Sequence, residues 1–163
     1  MSVSQIFLNA LDLATIAHSG QKRKTGEEYI THPIAVAEIA GTYGADIETR
    51  CACLLHDVVE DTPIRLNEIK DKFGKTISYL VDGVTKEKGR KTIRKVEEYA
   101  KKDKRVLFIK LCDRIHNVSN PVNKEWLKEK YYDSTKAYID LGRKFGFNDL
   151  SDKLTEVFEE GVK

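Results

Sequence analysis

The chain has 163 residues, with 28 Lys and Arg against 26 Asp and Glu, a formal net charge of +2 and a sequence pI near 8.3. Charged residues make up 33% and hydrophobic ones 40%, with 3 Pro and 10 Gly, the profile of a globular domain rather than a disordered or fibrous chain. Residues 1–163 are therefore expected to form a single domain with its own core, and the near-zero charge balance argues against a long nucleic acid as partner. No apolar run approaches the roughly 20 residues of a bilayer span, and the segment from Met1 to Ala17 has no basic start and carries Asp12, so neither membrane insertion nor a secretory leader is expected. Cys51, Cys53 and Cys112 are odd in number and lie among apolar residues, which reads as reduced buried thiols and a cytoplasmic location.

In chain order the periodicity is helical almost throughout. Val3, Ile6, Phe7, Ala10, Leu13, Ala14 and Ala17 recur at three and four and predict a first helix ended by Gly20. A loop rich in Lys and Gly leads to His32-Pro33, where Pro33 suits a first helical position and opens a helix to Gly41 or Gly44. Asp46 is a candidate N-cap for a helix from Ile47 to about Glu60, which Pro63 terminates. Leu66–Phe73 reads as a short helix stopped by Gly74, Lys75–Val84 as another, and Thr92–Lys101 as a third with a strongly charged face. The run Val106-Leu107-Phe108-Ile109 would fit a buried strand, but Leu111, Ile115 and Val118 continue it at helical spacing and favour a buried helix. A long helix from about Asn123 to Lys144 follows, with Trp126, Tyr132, Ile139 and Phe145 as buried candidates. The last runs from Asp149 to Glu160, with Leu150, Leu154, Val157 and Phe158 on one side. The expectation is an all-α bundle of eight or nine helices. The sequence carries no Gly-rich phosphate loop, no CxxC pair and no nucleophilic serine elbow.

Chemistry concentrates in three segments that hold three of the four histidines: Tyr29 to Pro33, Leu54 to Thr62, and Lys110 to Asn117. On a continuous helix His56 and Asp57 would diverge by about 100°, with Glu60 and Asp61 each one turn further along at i+4. A solvated face explains Glu60 and Asp61 but accounts poorly for His56-Asp57 between the apolar pairs Leu54-Leu55 and Val58-Val59. Asp113 ends the most hydrophobic helical stretch and is expected in the interior, where a carboxylate needs a counter-charge, a hydrogen-bond network or a metal; Arg114 is the candidate structural partner. Together His32, His56, Asp57 and Asp113 offer two nitrogens and two oxygens, a set that suits Mn²⁺, Fe²⁺, Co²⁺ or Zn²⁺ and leaves room for water and substrate. Glu60 and Asp61 are then placed for proton transfer or water positioning.

These residues resemble the HD superfamily of metal-dependent phosphohydrolases. The segments Gln21–Pro33, Leu54–Thr62, Val81–Lys86 and Lys110–Asn117 follow the order of the hydrolase domain of RelA/SpoT-type proteins, over roughly residues 3 to 160. The resemblance implies an HD-domain helical bundle like the stand-alone metazoan SpoT homologues, too short for the synthetase or regulatory domains of the long members. It implies a (p)ppGpp 3′-pyrophosphohydrolase that uses one Mn²⁺ ion and a small nucleotide substrate. By the same resemblance His32, His56, Asp57 and Asp113 are the metal ligands, and Glu60 and Asp61 manage water and the leaving 3′-oxygen. Arg23 and Lys24 hold the base and a nearby phosphate, Asn117 contacts the nucleotide, and Lys86 and Arg114 add positive charge near the diphosphates. A guanidinium can stack on a purine and an ammonium can serve a phosphate, consistent with Arg23 and Lys24. His18 is expected to pack, and His116 to support the site. Cys112 stands where alanine is usual, Ser119 where many bacterial members have Arg, and the stretch after Lys86 is short and Lys-rich; these departures bear on substrate choice. The alternatives are the same site acting on another nucleotide, such as NADPH at its 2′-phosphate, and a non-catalytic module that binds the alarmone.

Overall fold

The structure is a computed structural model that describes residues 2–163. Among them lie nine helices: α1 (Val3–Ala17), α2 (Thr31–Thr42), α3 (Ile47–Leu55), α4 (Val58–Asp61), α5 (Leu66–Val84), α6 (Thr92–Ala100), α7 (Arg105–Ser119), α8 (Lys124–Lys144) and α9 (Asn148–Val162). An isolated antiparallel bridge between Lys22 and Glu28 ties the α1–α2 loop to itself.

Local chemistry sets most of the boundaries. Ser2, Asp46 and Asn123 accept from the backbone N–H groups of Gln5, Thr49 and Trp126, capping α1, α3 and α8. The helix α2 begins two residues before Pro33, so the proline sits third in the helix, where its missing N–H is still one of the unpaired donors of a helix start. Gly74 adopts φ 87° and ψ 176° inside α5 and breaks it into the two predicted pieces.

The core is built around α7, which buries Val106, Leu107, Ile109, Leu111, Cys112, Ile115 and Val118 and packs against α2, α3, α5, α6, α8 and α9. Its helical form agrees with the spacing argument over the strand alternative. Beside it α3 buries Thr49 and every residue from Cys51 to Leu55; all three cysteines are free thiols. On α5, a Cβ at Gly83 would lie 2.7 Å from Val106 Cγ1 and 2.9 Å from Tyr99 Cδ1, so this glycine lets α5 meet α6 and α7 at close range.

Two expectations are corrected. The segment from Ile47 to Glu60 is not one helix: α3 ends at Leu55, His56 and Asp57 form a turn, and α4 follows. Tyr132 is 42% exposed, because the buried face of α8 runs through Leu127, Thr135, Tyr138 and Leu141; Trp126, Ile139 and Phe145 pack partly buried against the core.

Candidate metal centre and adjoining pocket

The break after Leu55 is what brings the adjacent pair together. His56 donates its Nδ1–H to the Cys53 carbonyl at 2.7 Å, so its Nε2 points the other way. Asp57 leaves the helical ladder at φ −103° and ψ −5°, and its Oδ2 comes within 3.0 Å of His56 Nε2 and 3.6 Å of His32 Nε2. Asp113, delivered by α7, places Oδ1 3.1 Å from His32 Nε2 and 3.6 Å from His56 Nε2. His32, at the start of α2, shares its Nδ1 with Nδ1 of His116 at 2.7 Å; with His32 as donor, its Nε2 lone pair faces the same centre.

This set fits a cation. Ligand atoms about 2.1 Å from one ion lie about 3.0 Å apart at right angles and about 3.4 Å apart at tetrahedral angles, close to the separations seen. His32, His56 and Asp113 each offer an atom within 4.8 Å of the others and can hold a metal ion, and Asp57 adds a carboxylate oxygen beside them. His56 Nε2 is buried and makes no well-directed hydrogen bond despite its proximity to Asp57, the condition of a ligand atom aimed at an ion rather than at a partner side chain.

The field of the site is that of two carboxylates, Asp113 buried and Asp57 partly open to the cavity. Burial opposes a charge on His56, yet Asp57 and Asp113 outweigh it and hold its imidazole well above the ordinary range. Burial pushes His32 down despite Asp113. It pushes His116 down to about 4, helped by the charges of His32 and Arg23, which keeps that ring neutral. Burial would raise Asp113, but the Lys110 ammonium, then His32 and His56, bring it well below the usual carboxylate range; Asp57 is depressed in the same way, chiefly by His56.

Lys110, which sequence reasoning left without a role, is the counter-charge of Asp113, with Nζ 2.8 Å from Oδ2. Arg114 is not: its guanidinium lies 4.7 Å and 4.9 Å from the ring centres of Tyr131 and Tyr138 and donates to Ser134 Oγ at 3.0 Å. The i+3 step from Lys110 to Asp113 along one helix was the legible signal. Tyr29 was also missed; its hydroxyl donates to Asp57 Oδ2 at 2.6 Å and reaches Asp61 Oδ2 at 3.4 Å.

Asp57, Asp113 and His32 form one wall of a cavity of about 540 Å³ that also takes in Arg23, Lys24, Glu60, Asp61, Lys86, Arg114 and Asn117. Every proposed site residue except the buried His56 thus borders the one space. Asn117 bridges two of them, donating from Nδ2 to Asp113 Oδ1 at 2.7 Å and accepting from Arg23 Nη2 at 3.1 Å. Glu60 receives the Lys86 ammonium at 2.7 Å and the Lys86 backbone N–H at 3.0 Å. Burial, then Asp57 and Glu60, raise the Asp61 carboxyl above its ordinary value, which suits a group that exchanges protons. Lys24 and Lys130 lie 6.0 Å and 5.1 Å from the centre of the Trp126 ring. Burial and then the charges of Lys24 and Lys86 hold the Lys130 ammonium below its usual value. The rim therefore gathers cations that repel one another until an anion enters. His18 is buried against Tyr29, with ring centres 4.8 Å apart, as the packing role predicts. No helix among the described residues is long and apolar enough to cross a membrane.

Comparison with known proteins agrees with this geometry. The chain is 39% identical over 158 residues to a protein named GTP pyrophosphokinase from Streptomyces coelicolor, covering 91% of this chain and 19% of that one. It is 36% identical over 170 residues to the bifunctional (p)ppGpp synthase/hydrolase SpoT of Escherichia coli K12, covering 97% and 24%. The chain thus spans a quarter or less of the length of these relatives. It also superposes on the solved structure of a metazoan ortholog of SpoT, described as hydrolysing ppGpp and acting in starvation responses, with a TM-score of 0.77, 28% identity and 97% of each chain covered. The family model described as HD domain matches residues 10–146, and the chain belongs to the HD domain family.

Proposed function

We propose that the protein is a Mn²⁺-dependent (p)ppGpp 3′-pyrophosphohydrolase, releasing pyrophosphate and leaving GDP or GTP, and that residues 1–163 act as one hydrolase domain. The observation that carries this reading is the convergence of two imidazole nitrogens and two carboxylate oxygens within 3.0–3.6 Å on the wall of a cation-rimmed cavity. The metazoan protein matched over 97% of its length supports the same reaction. The pyrophosphokinase name belongs to a relative of which this chain spans 19%.

His32, His56, Asp57 and Asp113 would hold the ion. Bound there, a divalent cation supplies polarisation of a phosphoryl oxygen and acidification of the attacking water. Asp61, its carboxyl raised above its ordinary value by burial and by Asp57 and Glu60, takes the proton that the water loses as its oxygen bonds to the phosphorus on the 3′-oxygen. Glu60, fixed by two contacts from Lys86, orients that water, and as the bond from phosphorus to the 3′-oxygen breaks, that oxygen takes up the proton Asp61 accepted. Arg23, locked through Asn117 to Asp113, sets the base at a fixed distance from the reacting phosphate. Lys24, Lys86 and Arg114, which line the same cavity, would supply positive charge to the phosphates. The three free buried thiols support a cytoplasmic setting.

The test is purified protein incubated with ppGpp, pppGpp and NADPH, with Mn²⁺ or chelator, and analysed for pyrophosphate, phosphate and nucleotide products. The expected result is metal-dependent GDP and pyrophosphate, lost in Asp57→Ala and reduced roughly 10²–10⁴-fold in Asp61→Asn. Preferred phosphate release from NADPH would replace the substrate assignment, and tight ppGpp binding without turnover would replace the enzyme by a sensor.

A further inference from the structure

Lys95, on α6, is 5% exposed, lies outside the cavity and is not used by the reaction described above. A buried ammonium is costly unless paired. Its Nζ is 3.0 Å from Asp82 Oδ1 and donates to the Thr85 carbonyl at 3.2 Å, just past the end of α5. Asp82 is held from its other oxygen by the Tyr99 hydroxyl at 2.7 Å.

The Thr85 carbonyl belongs to the same planar peptide unit as the Lys86 N–H. That N–H is the one that donates to Glu60 Oε2 at 3.0 Å. A cation on the oxygen end of a peptide withdraws density from its nitrogen and strengthens the N–H as donor, while fixing the plane in which it points. We propose that Lys95 is a positioning residue: through the single peptide joining Thr85 and Lys86 it aims and strengthens the hydrogen bond that fixes the Glu60 carboxylate. This rests on the reading of Glu60 as a residue of the reaction. It explains why α6 places a lysine here, where methionine would fill the volume without the cost of a buried charge.

The test uses full-length ¹⁵N-labelled protein. In metal-free Lys95→Met, the Lys86 amide proton moves upfield and exchanges faster with solvent, because its donor strength falls. In the assay with ppGpp and Mn²⁺, kcat falls about tenfold with KM changed less than twofold, short of the roughly hundredfold cost of a 1 Å misplacement. In a Glu60→Gln background, Lys95→Met lowers kcat no further. Tyr99→Phe, which loosens Asp82 but leaves the contact with Thr85, lowers Tm and leaves kcat and the Lys86 amide unmoved. If Lys95→Met does not fold, Lys95→Gln, which keeps a neutral donor, gives a smaller change of the same sign. An unmoved Lys86 amide in a folded variant, or an equal loss of kcat with and without Glu60, overturns the proposal. Wild-type protein inert toward ppGpp overturns the hydrolase reading instead, and the amide shift still decides the coupling.

Discussion

Replacing Lys110 by Met probes whether the buried carboxylates are built to receive a cation. Lys110 Nζ lies 2.8 Å from Asp113 Oδ2, and the two side chains are 13% and 7% exposed. At that distance and an effective dielectric near 20, their gross attraction is about 6 kcal/mol, much of it offset by desolvation. What decides the outcome is the charge left behind. Lys110→Met strands Asp113 beside Asp57 and is expected to lower the stability of metal-free protein by about 3–5 kcal/mol, or Tm by roughly 6–20 °C for a chain of this size. A divalent ion restores the missing positive charge, so adding Mn²⁺ raises Tm more in the variant than in wild type. Adding Asp113→Asn to Lys110→Met removes the stranded charge and recovers most of the metal-free stability, at the cost of metal affinity. Differential scanning fluorimetry across a Mn²⁺ titration, with chelator as zero, reads all three. A metal-induced gain in Lys110→Met no larger than in wild type would refute the reasoning, as would a metal-free loss below about 1 kcal/mol, the range of an exposed pair.

Three further expectations follow from local contacts. Tyr29→Phe deletes the 2.6 Å hydrogen bond to Asp57 and should weaken Mn²⁺ binding roughly 10–100-fold by calorimetry, with little change in Tm. Gly83→Ala gains helix propensity but drives a methyl to 2.7 Å from Val106, so a net loss of about 1–3 kcal/mol is expected in urea unfolding; a stabilised variant would show that the gap closes freely. Arg105 joins Asp103, Asp46 and Glu48 at 2.7–3.1 Å. Its hydrogen bond lowers Asp103, and Asp46 is lowered against its own burial by Thr49 and Arg105. Depressed carboxylates stabilise the fold above their unfolded pKa of about 4, and that contribution is lost as pH falls through the folded values. Arg105→Met should therefore cost up to about 1 kcal/mol at pH 6 and converge with wild type near pH 2; parallel curves would exclude this linkage.

The helices were legible wherever a short-range rule decided them. Gly74 stops a helix because its φ of 87° is one that glycine adopts without strain, and Asp46 caps α3 through a bond three residues away. The stretch from Val106 to Val118 declared itself by apolar spacing continued over several turns. The misread places are those where a distant residue wins. The turn at His56 and Asp57 interrupts a stretch whose periodicity is unbroken, where Asp57 meets the hydroxyl of Tyr29, 28 positions earlier. Tyr132 followed the apolar pattern of α8 but stays 42% exposed, lying against Phe158 of α9 at the edge of the buried face that runs through Thr135, Tyr138 and Leu141.

The same contrast explains which site residues could be found. His32, His56, Asp57 and Asp113 stand out by type, as titratable groups in apolar surroundings. Tyr29 and Lys110 do not, although each neutralises or orients one of those groups. A tyrosine and a lysine have ordinary surface roles, so only their direction in space, toward Asp57 and toward Asp113, reveals their part. Two carboxylates forced together in a protein interior repel each other, and the chain offsets that repulsion locally: Lys110 and Asn117 hold Asp113, Tyr29 holds Asp57, and Arg23 extends the network outward through Asn117. A whole-chain net charge of +2 thus conceals a local separation, with four carboxylates and seven Lys or Arg side chains lining one cavity. An acidic centre beside a basic rim is the complement of a ligand that brings dense negative charge and a divalent cation together, as the proposed substrate does.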